Sequence, residues 1–468
     1  MTSDRQCDVC VIGAGSGGLS VAAGAAQLGL KTVLIEPGLM GGDCLNTGCV
    51  PSKALLALAK RAHLDSDRPA FTRHQIRDYI RETIDQIAPH DSQERLEGLG
   101  VHVVRQHATF ESATRLLAGE TAITARYFVV AAGSHAAVPP IPGLDPRRIL
   151  TNETIFSIAE TPDHLVVIGG GPIGIEMAQA HRRLGSKVTV LEIHRILPKD
   201  EPELVEIVRR TLEAQGVEIL ENVKVEAVEY LDTGTRVWIE HAGTRRSLEG
   251  SHLLISVGRK VNVDGLGLDA AGIAFDGKGI KTDARLRTSQ KHIFAIGDIA
   301  GGPQFTHVAG YHAGIVIRNI AFRLPAKVDY SALPWVTYTD PELAHVGLTL
   351  TEARERFGKD VRGPVHSFKS VDRAVAERRE EGLLKLVARS NGRILGCSIV
   401  APGAGEMIGV WGLAIQQKLK LKDVASLILP YPTFSEISKQ AASEWYKPTL
   451  FGDRTRWLVR LLQKLPQL

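Results

Sequence analysis

The chain has 468 residues, more than one ordinary core needs, so two or three domains are expected. Its net charge of +4 is small for this length and gives no indication of a nucleic-acid-binding surface. No apolar stretch is long enough to cross a bilayer and residues 1–6 are too polar for a secretory signal, so we expect a cytoplasmic protein. Five cysteines are too few for a disulfide-stapled secreted domain.

A glycine-rich turn lies close to the start of the chain. It follows a short apolar run at 7–12 and precedes a small-residue helical stretch that ends near Leu28. A second apolar run, 31–35, ends at an acidic residue. Strand, glycine turn, helix and acid-terminated strand are the full context of a dinucleotide-binding motif. The residues concerned are Gly13, Gly15, Gly18 and Glu36.

The same order recurs at 165–192, so the sequence predicts two dinucleotide sites. The second set consists of Gly169, Gly171, Gly174 and Glu192. In each set the first glycine permits the tight turn, the second lets the backbone approach a pyrophosphate, and the third allows close helix packing. Glu192 would repel a 2′-phosphate, which favours NAD over NADP, although Arg195 and Lys199 follow closely.

The segment from Gly41 to Lys53 contains the cysteine pair Cys44 and Cys49. On an ideal helix their Cα atoms would lie about 8–9 Å apart, beyond disulfide reach. A bond between them therefore requires a distorted turn, for which Gly48 supplies the freedom. Zinc is the rival interpretation, but no second cysteine pair or histidine cluster has suitable spacing. Lys53 shares a helical face with Cys49 and would stabilise a thiolate or a reduced flavin.

The other three cysteines are predicted to be structural. Cys7 and Cys10 also form a C-x-x-C pair, but they lie within the first strand, where the strand pleat and burial favour packing. Cys397 stands alone in a late strand and is assigned to the core. We predict no metal-binding residues.

These motifs together resemble the flavoprotein disulfide reductases, the class I pyridine nucleotide-disulfide oxidoreductases that include dihydrolipoamide dehydrogenase, glutathione reductase and mercuric reductase. The resemblance covers nearly the whole chain. Besides the two glycine turns and the cysteine segment, it rests on 131–133 (Ala-Ala-Gly), 257–259 (Val-Gly-Arg), 295–298 (Ala-Ile-Gly-Asp), 339–342 (Thr-Asp-Pro-Glu) and 431–436 (Tyr-Pro-Thr-Phe-Ser-Glu).

The resemblance implies a role for each matching residue. Cys44 would face the substrate and Cys49 the flavin, with Lys53 paired to Glu176 nearby. Asp298 would bind the ribityl chain of FAD, and the helix opening between Gln304 and His307 would point its positive end at the flavin. Glu436 would orient the late motif. The remaining implied cofactor-binding residues are Gly42, Gly133, Gly258 and Gly297.

The implied fold is α/β, with two Rossmann-like dinucleotide-binding domains, for FAD and NAD, and an α+β C-terminal dimerisation domain. We predict the first part of the FAD domain at 1–150, the NAD(P) domain at 151–270, the second part of the FAD domain at 271–330, and the dimerisation domain with a basic tail at 331–468. The implied enzyme is a homodimer in which each late motif serves the partner's site. Electrons pass from NADH through FAD to the cysteine pair.

Tyr431 departs from the dihydrolipoamide dehydrogenase and glutathione reductase pattern, in which a histidine acid–base begins the late motif. A phenol with a pKa near 10 is a poor base at neutral pH, and losing the base typically costs about 10² to 10⁴ in rate. Mercuric reductases carry tyrosine at the comparable place, and Gln304 also resembles theirs. They add a C-terminal cysteine pair that this chain lacks, and His307 is closer to dihydrolipoamide dehydrogenase.

We therefore expect a mercuric reductase-like enzyme that acts on a small disulfide, thiol-bound or metal acceptor other than free mercuric ion. A dihydrolipoamide dehydrogenase acting on free or protein-bound lipoyl groups is the alternative. A further alternative is a redox-sensing or electron-transfer protein at a membrane surface, because the tail from Arg454 to Leu465 is basic and amphipathic. That tail would otherwise pack on its own dimer.

Overall fold

The structure is a computed structural model that describes residues 3–64 and 71–466. Within these residues, no helix combines the length and apolar character needed to cross a membrane. The chain divides into two compact units. Unit 1 comprises the described parts of 1–193 and 222–328, and unit 2 comprises those of 194–221 and 329–468.

The strands of the described chain are, in order, β1 Ser3–Ile12, β2 Thr32–Ile35, β3 Val101–Val104, β4 Ala108–Ser112, β5 Arg115–Ala118, β6 Thr121–Val130, β7 Ser134–Ala136, β8 His164–Ile168, β9 Lys187–Leu191, β10 Val217–Leu220, β11 Val223–Leu231, β12 Gly234–His241, β13 Thr244–Gly250, β14 His252–Ile255, β15 Arg259–Val261, β16 Phe275–Asp276, β17 Gly279–Ile280, β18 Ile293–Ala295, β19 Pro334–Thr337, β20 Glu342–Gly347, β21 Val361–Arg362, β22 Val365–Ser367, β23 Leu383–Arg389 and β24 Ile394–Ala401.

The α-helices are α1 Ser16–Gln27, α2 Gly42–Asn46, α3 Cys49–Leu64, α4 Arg73–Ile87, α5 Gln93–Gly98, α6 Pro172–Arg183, α7 Pro202–Ala214, α8 Thr306–Ile320, α9 Leu350–Phe357, α10 Asp372–Ala376, α11 Ala404–Gln416, α12 Leu421–Ala425, α13 Glu436–Glu444, α14 Lys447–Leu450 and α15 Asp453–Leu462. Short 3₁₀ turns occupy Ala88–Asp91, Ile155–Ser157, Gly297–Ala300, Gly358–Asp360 and Phe368–Ser370.

The largest sheet of unit 1 has the strand order β3-β2-β1-β6-β5-β4, and β18 pairs with β6. Strands β1, β2, β3, β6 and β18 are parallel, whereas β4 and β5 are antiparallel. Every residue of β2 is buried, as expected for a parallel strand covered on both faces. The order places the end of β1 near the centre of the sheet, so the first glycine turn opens there.

A second parallel arrangement in unit 1 repeats this design. Strand β8 pairs with β9 on one side and with β14 on the other, both in parallel. Helix α6 connects β8 to β9, as in the βαβ unit that binds a dinucleotide. Strands β11, β12 and β13 form a separate antiparallel meander.

Unit 2 is built on an antiparallel sheet of order β19-β20-β24-β23-β21, with β22 also paired to β23. All eight residues of β24 are buried, and four of them, Ile394, Cys397, Ile399 and Ala401, belong to a core that includes Trp411 of α11. Lys385 of β23 is also buried, and its Nζ lies 2.7 Å from an Oε of buried Glu201. A buried charge is tolerated when it is paired in this way.

The predicted α/β fold class is confirmed, including the short strands that flank both glycine turns. The strand predicted at 187–191 has those bounds, and the helix predicted from Glu406 begins earlier, at Ala404. The division into 1–150, 151–270, 271–330 and 331–468 stays a prediction. In the structure, 194–221 belongs to the same compact unit as the C-terminal segment.

Candidate active site

The two glycine turns have the same backbone geometry. Gly13 has φ of 104° and Gly169 has φ of 112°, a region that only glycine enters without strain. A Cβ atom on Gly18 would lie 1.8 Å from the carbonyl oxygen of Gly13, and one on Gly174 would lie 2.1 Å from that of Gly169. Both turns therefore need glycine at the first and last positions of the motif.

The acids that end the second strands bind back to these turns. Glu36 Oε2 accepts a hydrogen bond from the Ala14 N–H at 2.7 Å, and Glu192 Oε2 accepts one from the Gly170 N–H at 2.6 Å. Each carboxylate is therefore held beside the positive end of the helix that follows its turn. This position suits an acceptor for ribose hydroxyls.

The site residues fit FAD and a nicotinamide nucleotide. The turns leave room for a phosphate, because a Cβ on Gly171 would meet no heavy atom within 4 Å and one on Gly15 would meet only the Gly42 Cα, at 4.0 Å. Helices α1 and α6 begin directly after these two glycines, so their N–H groups point at an incoming pyrophosphate. The other glycines assigned to cofactor binding all have positive φ: Gly42, Gly133, Gly258 and Gly297.

The two cysteines of the predicted pair lie on separate helices. Cys44 is in α2 and Cys49 is the first residue of α3, so the chain is not one continuous helix across them. Thr47 and Gly48 form the break. Gly48 permits this close turn, because a Cβ atom at this position would lie 2.8 Å from the Asp43 carbonyl oxygen and 3.2 Å from the Cys44 Cα. The predicted distortion is present, and it lets the two thiols interact.

The Cys49 thiol is in a position that stabilises its thiolate. A hydrogen bond from Cys44 is the largest of the influences that lower the pKa of Cys49 to about 6, followed among them by Thr306 and the charge of Lys53. The Cys49 Sγ lies 3.3 Å from Thr306 Oγ1. Thr306 begins α8, so the positive end of that helix also faces the sulfur. The same hydrogen bond raises the pKa of Cys44.

Lys53 is paired with a buried acid. Its Nζ donates to Glu176 Oε2 at 2.8 Å, joining α3 to α6. The Glu176 side chain is 6% exposed and that of Lys53 is 37% exposed. The lysine can therefore serve the Cys49 thiolate while the glutamate fixes its position.

A polar network behind Cys44 was not anticipated from the sequence. Arg259 Nε donates to Ser134 Oγ at 2.7 Å and lies 3.6 Å from Asp298 Oδ2, and its Nη2 pairs with Asp43. Asn152 also donates to Asp43. The helix that carries Cys44 is thereby tied to the loop that carries Asp298. Three of these four contacts join residues more than a hundred positions apart, so spacing could not reveal them.

The helix predicted to open at 304–307 begins at Thr306, with Phe305 as its cap. His307 stacks on Phe305, with ring centroids 5.1 Å apart. Gln304 lies before the helix and lines a cleft of about 580 Å³ together with Arg259 and Gly301. The Cys49 thiol contacts Thr306, which lies between Gln304 and His307. Thr306 was missed because threonine at a helix start is usually structural.

Tyr431 and Glu436 belong to unit 2, where each has a local partner. The Tyr431 hydroxyl donates to Asp372 Oδ2 at 2.7 Å, and this hydrogen bond to a carboxylate raises the pKa of Tyr431 above its ordinary value. Glu436 Oε2 accepts a hydrogen bond from the Thr433 N–H. Tyr431 is 69% exposed. The pKa shift thus leaves even less phenolate at neutral pH to act as a base than the residue type alone would.

Comparison with known families identifies the class of protein. Residues 7–313 match the pyridine nucleotide-disulphide oxidoreductase family, and residues 333–442 match the dimerisation domain of that family. The chain therefore belongs to the pyridine nucleotide-disulphide oxidoreductases, which are enzymes that bind FAD and NAD(P).

Individual relatives fall into two named groups. The chain is 34% identical to a mercuric reductase of Lysinibacillus sphaericus over 94% of its own length and 83% of the relative's. It is 35% identical to a dihydrolipoyl dehydrogenase of Geobacillus stearothermophilus over 93% of its length and 96% of the relative's. The chain is therefore a flavoprotein disulfide oxidoreductase of mercuric reductase or lipoamide dehydrogenase type.

A solved structure has a similar fold. The HOCl-induced flavoprotein disulfide reductase RclA from Escherichia coli superposes with a TM-score of 0.85 at 28% identity, over 93% of this chain and 99% of that one. A Cu(II) complex of the same reductase matches equally well, with a TM-score of 0.85 over 92% of this chain and 99% of that one.

Gly174→Ala is predicted to weaken NADH binding while FAD is retained. The added Cβ would collide with the Gly169 carbonyl and move the start of α6. Overpacking of this kind costs about 1–3 kcal/mol, so we expect KM for NADH to rise about 5- to 150-fold. Steady-state kinetics and the flavin content of the purified protein measure the two effects. Gly409→Ala, where a Cβ meets nothing within 4 Å, is the matched control.

Thr306→Val is predicted to raise the pKa of Cys49 from about 6 toward the ordinary thiol range, about 8.5. The variant removes a hydrogen bond that favours the thiolate, and Lys53→Met should act in the same direction. In the reduced holoenzyme, the charge-transfer absorbance between thiolate and flavin should be present above about pH 6 and fade below it. Thr83→Val, which lies in α4, should leave this titration unchanged. An unchanged titration in Thr306→Val would refute the assignment.

Proposed function

We propose that the protein is an NADH-dependent reductase whose Cys44 and Cys49 pass electrons to an acceptor that consumes no proton, a thiophilic metal ion such as Cu²⁺. Bound FAD supplies the hydride acceptor between NADH and the thiols. The single observation that carries the proposal is the pairing of Tyr431 with Asp372, which leaves the late motif without a usable base.

Proton balance separates the candidate acceptors. Reduction of a disulfide by NADH consumes one proton and yields two thiols, so an acid–base group must move protons at the substrate. Reduction of two Cu²⁺ by NADH gives two Cu⁺, NAD⁺ and one proton, and the ions themselves take no proton. The second reaction therefore makes no demand on Tyr431.

The raised pKa of Cys44 is also compatible with a metal ion as the acceptor. A raised pKa keeps the Cys44 thiol protonated until a metal ion arrives. A thiophilic cation displaces that proton itself, whereas attack on a disulfide needs a thiolate already formed. The relatives give independent support, since one is named as a mercuric reductase and the RclA structure is described as a Cu(II) complex.

Several features support NADH as the donor. Glu192 beside the second turn disfavours a 2′-phosphate. The Arg195 guanidinium, which could have favoured one, donates instead to the Pro198 carbonyl at 2.8 Å. We further propose that the enzyme is a homodimer, supported by the match of residues 333–442 to the dimerisation domain, and that it works in the cytoplasm.

Dihydrolipoyl dehydrogenase activity on free or protein-bound lipoyl groups is the competing function, because several relatives bear that name. A small disulfide such as glutathione disulfide is a further candidate. Both reactions need proton transfer at the substrate, so both are disfavoured by the same argument.

Acceptor assays are predicted to separate these functions. Purified holoenzyme should oxidise NADH with Cu²⁺ and show little turnover with lipoamide or glutathione disulfide. Tyr431→Phe should keep Cu²⁺ turnover within about twofold, as usual for a surface change. Tyr431→His should increase lipoamide turnover by up to about 10²-fold, since it supplies a base. Cu⁺ trapped by a selective chelator measures the first reaction and NADH absorbance the others.

The Cys44→Ser/Cys49→Ser double variant is the control, because it retains the cofactor sites and lacks the dithiol. Its residual Cu²⁺ reduction measures electron transfer that bypasses the cysteines. Brisk lipoamide turnover by the unmodified enzyme would overturn the argument from Tyr431, and loss of Cu²⁺ turnover in Tyr431→Phe would make the tyrosine catalytic.

A second candidate role, contact with an anionic membrane surface, is favoured by the C-terminal helix α15. None of its residues is buried within the protomer. Trp457, Leu458, Leu461 and Leu462 are each at least 46% exposed and occupy one helical face. Arg456 and Arg460 lie four apart on another face. An apolar face flanked by cations is typical of interfacial helices, and α15 follows the range that matches the family.

Deletion of the chain from Arg454 onward is predicted to abolish binding to vesicles rich in phosphatidylserine. The full-length protein should co-sediment at low salt and less at high salt, because the cations act through a screened field. Vesicles of phosphatidylcholine alone are the control for charge, and equal flavin content is the control for folding. Equal sedimentation of the two proteins would exclude this role and leave packing within the dimer.

A further inference from the structure

Cys7 and Cys10 lie on one face of β1, although a regular strand would place them on opposite faces. The backbone is bulged between them, since the N–H groups of Asp8 and Val9 both donate to the Lys31 carbonyl, at 2.8 and 3.1 Å. A bulge reverses the alternation of side chains beyond it. Cys10 accordingly belongs to a buried cluster against which Cys7 also packs, whereas Val9 belongs to a different cluster.

In the neighbouring strand β6, the alternation of side chains between the two faces breaks at the paired positions. Ala125, paired with Cys7, and Phe128, paired with Cys10, both belong to the cluster that contains Cys10. Tyr127, between them, packs against the other cluster. Because both strands break their alternation together, the shared face of the two cysteines is a property of the sheet. The strand-pleat argument for separate packing therefore does not apply.

Each thiol of this pair is the largest influence on the acidity of the other. A hydrogen bond between them is the largest influence on each: it lowers the pKa of Cys7, an effect to which the charge of Arg5 adds, and it raises the pKa of Cys10. Cys10 is completely buried, and Cys7 is half-buried. A reagent or ion could thus reach the pair through Cys7. The Cys7 Sγ also lies 3.9 Å from the Thr124 carbonyl oxygen.

Geometry disfavours a disulfide at this pair. Three strand steps separate Cα atoms by about 10 Å, whereas a disulfide requires at most about 6.8 Å. A bulge shortens the first distance only in part. An ion that bonds to two sulfurs at about 2.3 Å each spans up to about 4.6 Å between them. Two thiols on the same face of a strand therefore fit the sulfur–sulfur distance across a bridging ion better than they fit the Cα–Cα distance of a disulfide.

We propose that Cys7 and Cys10 form a binding site for one soft d¹⁰ monovalent cation, Cu⁺ or Ag⁺, held between the two sulfurs. Thiolates select such ions over hard cations. Within residues 3–64 and 71–466, no three histidine, cysteine, aspartate or glutamate side chains cluster around a metal position, so the pair would be the whole protein ligand set. A two-coordinate ion is consistent with that set.

Binding converts two thiols and one cation into a bis-thiolate complex of net charge −1 and releases two protons. The anion lies at the edge of the core, where Arg5 favours negative charge at Cys7 and Asp8 opposes it. Proton release is thus a second readout besides metal content. The proposal does not rest on which acceptor the enzyme reduces.

Ag⁺ alone is the probe, since it needs no reductant. The background is the full-length, FAD-loaded Cys44→Ser/Cys49→Ser variant, in which the other cysteine pair cannot bind the ion. It should retain one equivalent of Ag⁺ after gel filtration, with two sulfur neighbours by X-ray absorption and about two protons released per ion. Cys7→Ser or Cys10→Ser in this background should weaken binding at least about tenfold, a loss that even outer-shell changes can reach.

Cys397→Ser is the matched control, because Cys397 is a buried cysteine in unit 2. It should keep the equivalent of Ag⁺. If Cys10→Ser fails to bind flavin, the Cys7→Ser variant provides the test, because Cys7 is only half-buried. The proposal is overturned if the background retains no ion, if Cys7→Ser retains it with unchanged affinity, or if Cys397→Ser loses it.

Discussion

The active site depends on the placement of the Cys49 sulfur at the start of α8. The thiol lies 3.3 Å from Thr306 Oγ1, beside the positive end of the helix and within reach of the charge of Lys53. These influences and the hydrogen bond from Cys44 outweigh partial burial, which acts in the opposite direction. Because thiolate is the reactive form of cysteine, the whole arrangement around α3 and α8 serves to hold a negative sulfur at neutral pH.

The two dinucleotide turns show how strictly that arrangement is fixed. Each helix approaches its preceding strand so closely that a single methyl group at Gly18 or Gly174 would overlap a carbonyl oxygen. The acids at the ends of β2 and β9 then hydrogen-bond to turn N–H groups. Each site therefore needs only a close approach of helix to strand backbone and one carboxylate. This small requirement explains how the same short pattern can occur twice in one chain.

Sequence reasoning was effective where function is encoded by local spacing. The glycine turns and the interval between Cys44 and Cys49 required only the periodicity of helices and strands. The pairing of Lys53 with Glu176 came from the family resemblance, and the structure has this pair. Thr306, Arg259 and Asp372 could not be found this way, because their importance arises from contacts made across the folded chain. The bulge in β1 was equally hidden, since it depends on two N–H groups donating to the carbonyl of Lys31, the residue before β2.

The distribution of acidity within the Cys44–Cys49 pair limits the chemistry available to it. The low pKa of Cys49 makes it a good leaving group, whereas the raised pKa of Cys44 makes it a poor nucleophile without a base. The hydroxyl of Tyr431 donates a hydrogen bond to Asp372, which raises the pKa of Tyr431 and keeps it protonated at neutral pH, so it offers no base to a thiol. A metal ion overcomes this limitation because coordination removes the proton from Cys44 directly. The replacement of histidine by tyrosine is thus compatible with an active dithiol if the acceptor itself deprotonates the thiol.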